Sequence, residues 1–145
     1  AHEKKDNSFE VASPVTEQLA FLHERIHRHG AKSLISYPTN LEQLAQHLLA
    51  GGERITGLQR IICMSELFES SQEALIRQAF PDARIGATYS STETGMAAGR
   101  CPHHPENYHI MAHKLGVEIL DAAGNIAYIC GLHPGMKGTI EVAAK

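Results

Sequence analysis

Residues 87–95 read ATYSSTETG, a dense run of hydroxyl side chains with one carboxylate, Glu93. The run follows RIG at 84–86, the start of an apolar, strand-like stretch. In an open α/β sheet, ligands bind beyond the carboxyl ends of the parallel strands. There, small hydroxyls can donate to phosphate oxygens, and a carboxylate can hold a magnesium ion or a ribose. The same residues also suit a solvated polar turn, since such loops are common.

Other candidates for chemistry are weaker. No GxxxxGK[ST] or GxGxxG occurs, so neither a P-loop nor a dinucleotide fingerprint is present. No GxSxG occurs, which makes Ser90 and Ser91 poor nucleophiles. Cys101, His103, His104, His109 and His113 form the densest group of possible metal ligands. Their C-x-H-H-x4-H spacing matches no standard zinc pattern, and scattered histidines account for it as well as a metal does. Cys63 sits in the apolar run IICM and reads as a small core residue rather than a reactive thiol.

The elements that position these residues follow from periodicity. Val15, Leu19, Leu22 and Ile26 recur at helical spacing after Ser13-Pro14, with Ser13 as the expected N-cap and Gly30 as the stop. SLISY at 33–37 reads as a strand closed by Pro38. Thr39 and Glu42 have capping-box spacing before a helix ended by Gly51-Gly52. The run at 61–64 reads as a strand buried on both faces. Ser70 and Glu73 suggest a second box opening a third helix, which Pro81 ends. A strand over 84–89 follows. Such alternation implies crossover units and a parallel sheet. Residues 96–107 read as loop, and 108–113, 116–121, 126–130 and 139–142 as short strands. A turn is expected at 121–125 and a loop at 133–138.

The expected fold is therefore α/β: a three-layer parallel-sheet subdomain over 13–95 with helices on both faces. A polar, flexible segment precedes it at 1–12, and a loop and β-rich extension of the same domain follows at 96–145.

Bulk properties narrow the classes. The 145 residues suffice for one domain with a real core. A net charge of -3 gives no reason to expect capture of nucleic acid or an anionic membrane. The absence of tryptophan and an aromatic content of 6% argue against a base-stacking surface. No apolar run approaches a membrane span. Three widely spaced cysteines and no secretory stretch point to a reducing, cytoplasmic setting.

The order of the motifs resembles that of the adenylate-forming (acyl-CoA synthetase) superfamily, and within it the phenylacetate–CoA ligase-like branch. The resemblance lies in SLISYPTNLEQLAQHL, then IICMSELFESSQEALIRQAFPDARI, then ATYSSTETG, then GRCPHHPENYHIMAHKLGVEILDAAGN, and finally GMKGTIEV. It implies an ATP-dependent ligase that activates a small carboxylic acid, with ATP, magnesium and coenzyme A as cofactors. Thr92 and Glu93 would be catalytic, Glu93 by coordinating magnesium and Thr92 by bonding the α-phosphate. Tyr89, Ser90, Ser91, Thr92, Ser65 and Glu66 would line the nucleotide site, and Tyr37 and Gly95 the acyl group. Ser90 stands where many relatives carry glycine. The family's upstream phosphate loop, its downstream Gly-Asp and its lysine-bearing C-terminal domain have no counterpart in these residues. The resemblance thus implies part of the large N-terminal domain, inactive alone, whose partners are the remaining ligase parts or a second copy. The competing expectation is a non-catalytic α/β module for dimerisation or partner docking.

Overall fold

A computed structural model of the chain describes residues 7–92, 95–105, 107–111 and 113, together with the backbone of 124–129 and 137–142. The element order is α1 (Val15–His29), β1 (Ser33–Ser36), α2 (Pro38–Ala50), β2 (Arg60–Cys63), α3 (Ser70–Ala79), β3 (Arg84–Ser91), β4 (Gly95–Arg100), β5 (Tyr108–Ile110), β6 (Gly124–Ile129) and β7 (Lys137–Val142). The alternation expected through β3 is present. The strands expected over 108–113 and 126–130 overlap β5 and β6, and that over 139–142 falls within β7. The strand expected at 116–121 lies outside the described residues, as does most of the turn at 121–125 and of the loop at 133–138.

Five strands form one sheet in the order β1-β2-β3-β4-β5, and β6 and β7 form a separate antiparallel pair. β1, β2 and β3 are parallel, with Ile35 beside Ile62 and Ile62 beside Gly86. β3 changes partner along its length. Residues 84–87 pair with β2, whereas Thr88–Ser91 pair antiparallel with β4. The sheet is therefore mixed, with a parallel half built by crossovers and an antiparallel half built by a hairpin. Residues 96–100, read as loop with the rest of 96–107, fall in β4 instead. Small residues at Ala97, Ala98 and Gly99 suit a strand packed against its neighbour.

Register fixes the two faces of the sheet. Side chains in register on neighbouring strands share a face. Ile61, Cys63 and Ala87 lie on the face that closes the core, with Leu41, Leu44 and Leu48 of α2, Ile76 of α3, Phe80, and Leu19, Leu22 and Ile26 of α1. Burying a Leu or Ile side chain contributes about 1.5–3 kcal/mol, so this one cluster dominates the folding energy. The opposite face holds Ile35, 58% exposed, with Ile62 and Gly86. The sheet is flanked by helices as an α/β fold requires. Apolar residues of all three helices join the one core.

Helix starts differ from the capping expectations. Pro14, in extended conformation, occupies the N-cap of α1 rather than Ser13. The Gln18 amide reaches back instead, donating to the carbonyls of Val11 (2.9 Å) and Ser13 (2.8 Å). Gly30 ends α1 at φ 66, the left-handed conformation that glycine adopts without a steric cost. At α2, Pro38 takes the first turn and Thr39 does not cap. At α3, the capping box is one residue earlier than Ser70/Glu73. Glu69 accepts from the N3 backbone, and the Gln72 side chain accepts from the Glu69 N–H at 3.1 Å.

Candidate functional site

A cavity of about 740 Å³ opens on the uncovered face of the sheet, at the carboxyl ends of β1, β2 and β3. Its apolar floor is Ile35, Ile62, Met64 and Met96, and its rim is Ser65, Thr88, Ser90, Ser91, Thr92 and Gly95. That composition, mostly apolar with a few convergent polar groups, is the usual one for a small-molecule site.

Local structure explains why the hydroxyls converge. In a regular strand, Ser90 and Ser91 would point to opposite faces. The pairing of β3 with β4 shifts register at this point: Tyr89 faces Ala98 but Ser90 faces Met96, skipping one residue. A bulge of this kind sharpens the twist and re-aims side chains, and bulges gather next to sites. Three successive residues, Ser90 to Thr92, consequently reach one cavity. Gly95, at φ 65, then takes the chain into β4 through a conformation that favours glycine. The side chains of Ser65, Ser90 and Thr92 form no hydrogen bond among the described residues, so their donors are free to meet a ligand.

Ser65 holds φ 64, the one left-handed non-glycine among the described residues. Such backbone costs about 1–3 kcal/mol and persists only where surroundings enforce it. The next residue is anchored to α2. The Glu66 carboxylate accepts from the Thr39 N–H at 3.1 Å and from the Thr39 hydroxyl at 2.8 Å. Glu66 thus places a negative charge on the amino end of α2, where the helix dipole favours it. This accounts for the absent Thr39 cap: the hydroxyl donates to a distant carboxylate rather than accepting from its own helix. Glu42, free of any box, accepts from Gln46 and from Gln72 of α3. Thr88 extends the rim inward, its hydroxyl donating to the Cys63 carbonyl at 3.4 Å.

Of the residues singled out in the sequence, Ser65, Ser90, Ser91, Thr92 and Gly95 come together around the cavity. Tyr37, Glu66 and Tyr89 do not line it. Tyr37 occupies the N-cap position of α2, Glu66 is held by Thr39, and Tyr89 is 70% exposed. Glu93 lies outside the described residues. Ile35, Ile62, Met64 and Met96 were missed: Ile62 and Met64 read as a strand buried on both faces, Ile35 as part of a short strand and Met96 as loop, and only the strand register reveals the exposed face. Cys101, His103, His104, His109 and His113 are described, and no group of three or more His, Cys, Asp or Glu is placed to hold a metal among the described residues.

Beneath the rim, Cys63 is 1% exposed, and burial pushes its thiol up to about 12 despite the opposing pull of the Arg100 charge. Arg100 itself bonds Glu73 at 2.7 Å and the Pro105 carbonyl at 2.6 Å, and stacks over Phe68. Glu73 also takes Arg77 at 2.6 Å. Burial raises the Glu73 carboxyl, but hydrogen bonds and charge from Arg77 and Arg100 outweigh it and leave the group below its ordinary value.

No family model matches the chain, and no curated protein matches it. Solved structures do. A long-chain-fatty-acid-CoA ligase from Archaeoglobus fulgidus superposes with a TM-score of 0.51 at 14% identity, covering 60% of this chain and 19% of its own. An amide bond synthetase from Marinactinospora thermotolerans gives 0.51 at 20% identity, covering 70% and 19%. A nonribosomal peptide synthetase gives 0.51 at 18% identity, covering 65% and 10%. The chain shares its fold with part of these adenylate-forming enzymes. It spans a fifth or less of the length of each of the three. None of the three likenesses singles out the phenylacetate–CoA ligase branch.

Proposed function

We propose that this chain supplies the nucleotide- and acyl-facing loop of an ATP-dependent carboxylate-adenylating ligase of the acyl- or aryl-CoA ligase type, and that it does not complete adenylation alone. The observation that carries this reading is the cavity at the carboxyl ends of the parallel strands, with the hydroxyls of Ser65, Ser90 and Thr92 on its rim lacking a partner among the described residues. Its support is the fold shared with adenylate-forming enzymes. The donor set fits a phosphate: neutral hydroxyls, preorganised on strand ends, stabilise charge developing at phosphorus without adding a fixed charge. Thr92 bonds the α-phosphate, and Ser90 and Ser91 steady it. Gly95 and the apolar floor around Ile35 and Ile62 accept the acyl group. Glu93 holds the magnesium ion, which neutralises phosphate charge when bound. Coenzyme A belongs to the complete reaction, as do the ligase segments that add a phosphate loop and a lysine.

Two assays test the proposal together. Pyrophosphate release from ATP, magnesium and a panel of aryl and fatty acids stays at background with this chain; robust turnover contradicts the claim of inactivity alone. Magnesium-ATP binding, measured by calorimetry, weakens at least tenfold in Thr92→Ala; unchanged affinity removes Thr92 from the site.

A second reading, a non-catalytic docking module, draws on the exposed apolar side chains of Ile35, Met96 and Ile110. Patches of this kind mark interaction surfaces. Light scattering separates the two: a dimer indifferent to ATP favours docking.

A further inference from the structure

A second cavity, of about 230 Å³, lies at the other end of the parallel strands. Arg60, Arg77, Arg84 and Arg100 line it, and Glu73 is its one acid among the described residues. Arg60 and Arg84 open β2 and β3 and are direct register partners. Neighbouring strands are about 4.8 Å apart, so two guanidinium side chains leave adjacent backbones on the same face. Like charges so placed repel. Nothing described relieves them. Both Glu73 oxygens are taken, Oε1 by Arg77 and Oε2 by Arg100. Arg60 and Arg84 have no ion-pair partner among the described residues. Four arginines against one glutamate make a local charge of +3 (4 - 1) in a chain whose net charge is -3.

We propose that this cavity is a binding site for a phosphate-type oxyanion, with Arg60 and Arg84 as its principal ligands. Planar guanidinium forks match phosphate oxygens bidentately, and paired forks on rigid strands lose little freedom on binding. Arg100 is fixed by Glu73, Pro105 and Phe68, which aims its remaining Nη2 without further ordering. Arg77 likewise keeps one terminal nitrogen beyond its two bonds to Glu73. The volume is below the roughly 300 Å³ at which ordinary small-molecule pockets begin. It suits a phosphate or diphosphate group rather than a whole nucleotide. The site meets the hydroxyl-rimmed cavity only at Ile62, shares none of its polar rim residues, and does not depend on the ligase reading.

Calorimetric titration of the chain with sodium pyrophosphate and with sodium phosphate, at low ionic strength, tests the proposal. Saturable one-site binding is expected, and Arg60→Ala/Arg84→Ala weakens it at least tenfold. Both arginines are exposed, so the double variant keeps the wild-type circular dichroism. Arg60→Lys/Arg84→Lys, which keeps the charge but loses the forks, is expected to fall between. A control, Arg28→Ala/Arg54→Ala, removes equal charge elsewhere on the surface and leaves binding unchanged. Absence of saturable binding overturns the proposal. So does an equal loss in the control, which would reduce the effect to overall charge.

Discussion

At the scale of single residues, Cys63 and Glu73 show how burial and charge divide the work. Cys63 lies in the core and feels the opposing charges of Arg100 and Glu73, yet burial dominates its thiol. Labelling with iodoacetamide at pH 8 is therefore expected to leave Cys63 unmodified in the folded chain and to modify it fully in urea. Rapid labelling of the native protein would contradict this. Glu73 behaves oppositely. Its folded carboxyl lies below the ordinary 4.5, so the stability it contributes is fully present above that pH. That stability is lost as acid takes the pH down through the lowered value. Glu73→Gln should cost about 1–3 kcal/mol at pH 7, because Arg77 and Arg100 lose a charged acceptor. The difference from wild type should narrow progressively as the pH falls below 4.5, as urea unfolding curves across an acid series would show. The inertness of Cys63 was legible from IICM alone. The Glu73–Arg100 pair was not, because the two residues stand 27 apart in sequence and meet only through packing.

At the scale of elements, the helices were legible and their caps were not. Periodicity at Leu19, Leu22 and Ile26, or at Leu41, Leu44 and Leu48, reports which face a helix buries, a property of its own sequence. A cap depends on what stands across from it. Thr39-x-x-Glu42 has the spacing of a box, but Glu66 comes from another loop and takes the Thr39 donors first. Glu66→Ala is thus expected to destabilise the fold by about 1 kcal/mol, the usual worth of a helix cap, in equilibrium urea unfolding. Thr39→Ala should cost less, since its backbone N–H still reaches the carboxylate; equal costs would argue against Glu66 acting as the cap of α2. The β4 strand was hidden for another reason. The glycine, proline, cysteine and histidine content of 96–107 reads as loop, while the hairpin's antiparallel pairing with Thr88–Ser91 is what extends 95–100. The bulge at Tyr89/Ser90, which aims three hydroxyls at one cavity, leaves no mark in composition.

At the scale of the molecule, one core on one face leaves the other face of the sheet to ligands or partners. Alternating helices and strands predicted the α/β class correctly, and the motif order pointed to a fold that solved adenylate-forming enzymes share. The pattern could not say which face stayed open, because Ile35 and Ile61 are equally apolar and differ only in strand register. The two cavities at opposite ends of the parallel strands differ in chemistry, neutral hydroxyls at one and guanidinium groups at the other. The central claim concerns the first. Amide chemical-shift mapping during titration with magnesium-ATP tests it most directly. The account predicts saturable shifts at residues 62–65 and 88–96. Shifts confined to other residues, or none at millimolar nucleotide, would contradict it.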